Sequence, residues 1–141
     1  MFKLPLKKFA NYNFWISFTL IVVLDQLLKL FVLKIYPGIV YVSSGVFSHF
    51  NFAWAGILPA FLVVIFIIFQ ETFFKETITA VTFGALLGAA ISNLIDRIFR
   101  HSVLDWIPIF GVKFNFADMI LIIGSMILII NLWQKPEDSK K

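Results

Sequence analysis

Apolar runs separated by short polar breaks organise this chain. The first run, residues 14–35, has about the twenty-residue length that a helix needs to cross a bilayer. Basic residues precede it, as in a cleavable signal peptide. However, the run is long, carries Asp25 and Lys29, and is not followed by a small-residue cleavage pattern, so a permanent helix is expected. Residues 36–52 break the pattern. Pro37-Gly38 signals a turn, and β-branched and aromatic residues follow around Gly45, which predicts an extracytoplasmic loop with short strand character. A second run covers residues 53–69, with Pro59 near its start, where proline is tolerated. After a tight polar turn at residues 70–76, a third run covers 77–99 and a fourth 114–133. The expectation is an all-α membrane protein: one domain over residues 1–141 with four transmembrane helices.

Composition supports the bilayer class. The chain has 141 residues, 60% of them hydrophobic, with 18 Phe and a mean hydropathy of +0.93, too apolar for a soluble domain of this size. Most of the formal net charge of +4 sits in the tails, with Lys3, Lys7 and Lys8 before the first run and Lys135, Lys140 and Lys141 after the last. Four spans put both termini on one side, and the lysines make that side cytoplasmic. Arg97, Arg100 and Lys113 fall on the opposite side, where Asp96 and Asp105 give another reason for them. Trp15, Trp54, Trp106 and Trp133 each lie near an expected water boundary. Basic tails beside apolar helices suit anionic lipid headgroups rather than nucleic acid. The absence of cysteine excludes disulfides, thiolate catalysis and cysteine-based metal sites.

The acids carry the chemistry. Glu71, Glu76, Glu137 and Asp138 lie in polar breaks, whereas Asp25, Asp96, Asp105 and Asp118 fall within or beside apolar sequence. A carboxylate is costly to keep there and marks a candidate site. Asp25 and Lys29, four apart, share a helical face; they either neutralise each other or face a polar site between helices. A Ser–His–Asp arrangement would need His49 or His101, and no nucleophile-elbow pattern surrounds the nearby serines. Neither histidine has metal-ligand spacing, so no metal or cofactor is expected. Paired aspartates remain. Asp105 follows the third run and Asp118 opens the fourth, and the connection between them, with Pro108 and Gly111, can fold back. Two carboxylates sharing a site cannot both ionise easily; one then activates water while its protonated partner polarises a carbonyl. On pattern alone, a loop or capping Asp105 and a dipole-favoured Asp118 read equally well.

Asn93-Leu-Ile-Asp96-Arg97, Val103-Leu-Asp105 and Phe114-Asn115-Phe-Ala117-Asp118, in this order, resemble the motifs of the lipoprotein signal peptidases, and Asp25-Gln26-Leu-Leu-Lys29 is similar to that family's opening motif. The resemblance covers nearly the whole chain. It implies a bacterial inner-membrane aspartic endopeptidase that removes signal peptides from prolipoproteins carrying a diacylglyceryl group on the cysteine after the cut. It implies Asp105 and Asp118 as the catalytic pair, with Asn93, Asp96, Arg97 and Asn115 as a polar shell supported by Asp25 and Lys29. It also implies an extracytoplasmic active site, membrane lipids as surroundings and no nucleic-acid partner, and the chain is expected as a monomer. Residues 36–52 would correspond to the family's small β-cradle between helices 1 and 2, and residues 106–112 would fall in the mobile element over the site.

Several positions depart from the family pattern. His101 stands where the family has glycine, which denies the backbone a glycine conformation and adds bulk. Ala89 and Ser92 replace glycines in the lead to Asn93 and still permit close helix packing. In the family's Asn-x-Gly-x-Ala-Phe motif, aligning Ala53-Trp54 puts His49 at the Asn position, whereas a shift keeps Asn51, which is retained as a supporting residue. Two other readings stand beside the active peptidase: a non-enzymatic membrane protein passing protons or cations over buried aspartates, and a family member without activity.

Overall fold

A computed structural model describes residues 12–38, 41–43 and 77–133. These form helix α1 (Tyr12–Ile35), strand β1 (Tyr41–Ser43), helix α2 (Thr77–Arg100), strands β2 (Val103–Asp105), β3 (Ile107–Ile109) and β4 (Val112–Phe114), and helix α3 (Phe116–Trp133). The first, third and fourth apolar runs are thus helices, and α1 and α2 are each long and apolar enough to cross a membrane. The second run, with Asn51 and most of the loop before it, lies outside the described residues. α1 stops before Pro37, as the steric demand of proline on its neighbour requires. The fourth run begins as strand, and α3 starts only at Phe116.

The described residues form a mainly helical membrane-protein fold with small antiparallel sheets. β1 pairs with β2, placing Tyr41 opposite Asp105, and β3 pairs with β4 as a hairpin. β1 therefore joins the segment after α1 to the strand that carries Asp105. Residues 106–112, expected to fall in the element over the site, run through β3 and the hairpin turn into β4.

The helices pack through a face that changes character along its length. On α1 the buried residues are Phe14, Ser17, Ile21, Asp25 and Lys29, spaced three or four apart, so they form one stripe. At one end Phe14 stacks on Phe83 of α2 with ring centroids 6.4 Å apart. Next along, Ile21 joins Ala89 and Ala117. Beyond that the stripe becomes ionic. Meanwhile Leu24, Leu27, Leu28 and Phe31 of α1 and Ile122, Ile123, Met126 and Ile130 of α3 are exposed. Apolar outside and polar inside is the arrangement that a lipid solvent favours.

Close approach depends on two glycines of α2. A Cβ on Gly84 would strike Ser17 Oγ and the Phe14 carbonyl, and one on Gly88 would lie 2.6 Å from the Phe18 carbonyl oxygen. Lipid tails give helices no hydrophobic drive to associate, so this backbone contact, with the polar bonds below, holds α1 to α2.

His101 corrects one expectation. Its φ is 57°, so histidine adopts the left-handed conformation that a glycine would occupy, just past the end of α2. A left-handed residue there is a common way to terminate a helix, and histidine is among the side chains that tolerate it best. Its side chain is exposed, so it adds no bulk to the interior.

Candidate active site

Asn115 stands immediately before α3, and Asp118 is that helix's third residue. The Asn115 side-chain oxygen accepts the Asp118 N–H at 2.9 Å, and Asp118 Oδ2 accepts the Asn115 N–H at 3.1 Å. This reciprocal pair is a capping box, which satisfies donors that a helix start leaves unpaired. Asp118 is thus an acid in the first turn of α3, where the dipole reading put it, and it also closes the cap with Asn115.

The same residue connects the two aspartates. Asn115 Nδ2 donates to Asp105 Oδ1 at 2.8 Å, so one residue is bonded to both aspartates. It also donates to Asn93 Oδ1 at 3.2 Å, and Asn93 Nδ2 donates to Asp118 Oδ1 at 2.9 Å. Asn115 is fully buried and Asn93 and Asp105 nearly so, whereas Asp118 is partly exposed. Asp105 lies on β2 rather than in an irregular loop, and the buried β2 strand sets its height against α3.

Behind the pair lies a buried ionic cluster. The Lys29 ammonium is 2.5 Å from Asp25 Oδ2 and 2.7 Å from Asp96 Oδ2, and it donates to Asn93 Oδ1 at 2.9 Å. Three acceptors match its three donors. Apart from Lys29, Asp96 Oδ2 has no partner among the described residues. Asp25 links the three described helices: its Oδ2 accepts from Ser92 at 2.7 Å and its Oδ1 from the Ala117 N–H at 2.9 Å, in the first turn of α3. A carboxylate is favoured at that end of the helix dipole.

Of the residues expected at the site, Asp25, Lys29, Asn93, Asp96, Asp105, Asn115 and Asp118 form one connected network. Arg97 touches it through the Asn93 carbonyl, at 3.3 Å. The arginine that pairs with Asp96 is Arg100, one turn on, and it also donates to Gln26 Oε1 at 3.0 Å. Gln26 in turn donates to Ser92 and Asp96. Gln26, Ser92 and Arg100 were not among the expected site residues. The spacing of Arg100 four after Asp96 was the available signal, but nothing local pointed to Ser92, which bonds across helices. No group of three or more metal-ligating side chains occurs among the described residues.

A family model described as signal peptidase (SPase) II matches residues 17–134. A lipoprotein signal peptidase of Campylobacter jejuni subsp. jejuni is 33% identical over 144 aligned residues, covering 91% of this chain and 92% of that protein. One of Wigglesworthia glossinidia brevipalpis is 34% identical over 80 residues; the match takes in 53% of this chain and spans only about half, 52%, of that relative's length. Two solved structures described as bacterial membrane enzymes share the fold. One has a TM-score of 0.64 at 21% identity over 94% of each chain, and the other 0.67 at 23% identity over 90% of this chain and 96% of its own. With a family model matching most of its length and a relative one-third identical across nearly all of it, this bacterial membrane protein belongs to the signal peptidase II family.

Proposed function

We propose that this protein is an aspartic endopeptidase that removes signal peptides from prolipoproteins, with Asp105 and Asp118 as the catalytic pair. The observation that carries the reading is Asn115, whose side-chain amide bonds Asp105 while its backbone and side chain bond Asp118. One ionised carboxylate takes a proton from water as the water oxygen attacks the scissile carbonyl carbon. The protonated partner donates its proton to the carbonyl oxygen, giving a tetrahedral diol. In the collapse of the diol, the carboxyl that took water's proton gives it to the leaving nitrogen as the C–N bond breaks, and the other carboxylate takes a diol hydroxyl proton as the C=O bond re-forms. Asn93, Asp96, Lys29 and Asp25 hold the pair in place, and Arg97, half-buried at its edge, is available to the substrate backbone; Asn51 is proposed to contact substrate as well. The substrate is a prolipoprotein with a diacylglyceryl-modified cysteine after the cut.

The same reading takes the chain as one domain of four spans, at roughly residues 14–35, 53–69, 77–99 and 114–133, acting as a monomer. A β-cradle lies outside the membrane, both termini are cytoplasmic and the active site is extracytoplasmic. Gathering of Asp25, Asp96, Asp105 and Asp118 into one network favours a localised site over an ion path, which would spread its acids across the bilayer.

The test is cleavage of a diacylglyceryl-modified prolipoprotein by purified protein, by Asp105→Asn and by Asp118→Asn. Wild type cleaves, with or without a chelator, and each variant loses cleavage. Activity that survives either substitution removes the pair from the mechanism.

A further inference from the structure

The β3–β4 hairpin turns through Phe110 and Gly111, with φ of 47° and 82°. Positive φ at both central residues of a two-residue loop is the type I′ turn, a place usually filled by Asn-Gly, Asp-Gly or Gly-Gly. Phenylalanine has no backbone reason to be there, because a non-glycine side chain is disfavoured at positive φ. Nor does packing among the described residues explain it: Phe110 is 103% exposed. The neighbouring Val112 is 57% exposed, Pro108 is exposed, and no charged residue occurs from Trp106 to Val112. A strained turn residue that presents a bare phenyl ring, within an uncharged segment, points to an apolar neighbour beyond the described residues.

The hairpin's tether limits what that neighbour is. Residues 101–106 tie it to the end of α2, and Asn115 alone separates β4 from α3. Strands of three residues extend about 10 Å, comparable with the headgroup layer between hydrocarbon and water, roughly 5–8 Å on each side of the bilayer. A tip so short and so close to two helix ends stays within reach of the headgroup–acyl boundary. Resting on the extracytoplasmic orientation proposed above, we propose that Phe110, with Val112, dips into the outer leaflet and anchors the hairpin beside the Asp105 strand at the membrane surface.

Because the chain has no native cysteine, Val112→Cys gives a single reporter next to the intact Phe110. The full chain is reconstituted in phosphatidylglycerol–phosphatidylethanolamine vesicles without substrate. The thiol is then titrated with a charged and with an uncharged, lipid-soluble maleimide. The charged-to-uncharged rate ratio should fall severalfold below that of a cysteine in buffer. Adding Phe110→Asn, which suits the turn and so preserves the hairpin, should restore the ratio. A buffer-like ratio with Phe110 present would overturn the proposal, as would shielding that Phe110→Asn leaves unchanged. Shielding that develops only after lipopeptide is added would also overturn it, and would assign the ring to the substrate instead.

Discussion

Removal of the Lys29 charge tests the buried cluster most sharply. Lys29, Asp25 and Asp96 are all 0% exposed, and with Arg100 they make two cations against two carboxylates. Lys29→Met preserves length and removes the charge. It leaves Asp25 without its ion pair, Asp96 Oδ2 without its partner, and Asn93 Oδ1 with Asn115 only. Breaking a buried pair from one side costs about 3–5 kcal/mol, because the partner remains desolvated and uncompensated. Asp25→Asn should cost a similar amount from the other side, since it leaves the cations in excess and weakens the acceptor facing Ala117. The double variant restores neutrality, with Asp96 and Arg100 still paired. It should therefore lose less than the sum of the singles by about 2–3 kcal/mol, the upper range for coupled neighbours. Reversible denaturant unfolding in mixed micelles, read by circular dichroism, measures all four proteins. If Lys29→Met falls within about 1 kcal/mol of wild type, a value typical of exposed pairs, or if the two changes simply add, the cluster does not hold the helices as argued.

Asn115→Ser retains a capping side chain but cannot reach Asp105 or Asn93, so it should unfold less readily than Asn115→Ala, which also loses a cap of about 1 kcal/mol; both should lose peptidase activity alike. Gly84→Ala drives a methyl into the Phe14 carbonyl and should cost about 1–3 kcal/mol as α1 and α2 separate, measured by the same unfolding assay. His101→Gly relieves a left-handed histidine and should stabilise by up to about 1 kcal/mol, with cleavage unchanged; a loss of stability would contradict the helix-end reading.

The sequence by itself determined the helices of the described residues and the candidate acids. Apolar length sets α1 and α2, because a bilayer requires about twenty residues whose backbone bonds are internal. The cost of a carboxylate in lipid singled out Asp25, Asp96, Asp105 and Asp118 without reference to any partner. Tertiary contacts add what pattern left open about which groups meet. Asp118 is both a capping acid and a neighbour of the Asp105 network, because Asn115 serves both roles at once. Asp25 and Lys29 do pair, and they also reach Ser92, Ala117 and Asn93 on the other helices. The choice of Arg100 over Arg97 for Asp96, the left-handed His101 and the strained Phe110 likewise depend on where the chain turns. Periodicity places a residue on a face and burial cost marks it as unusual. Which groups meet depends on how closely helices approach and where strands return, and those distances are set by contacts between residues remote in sequence.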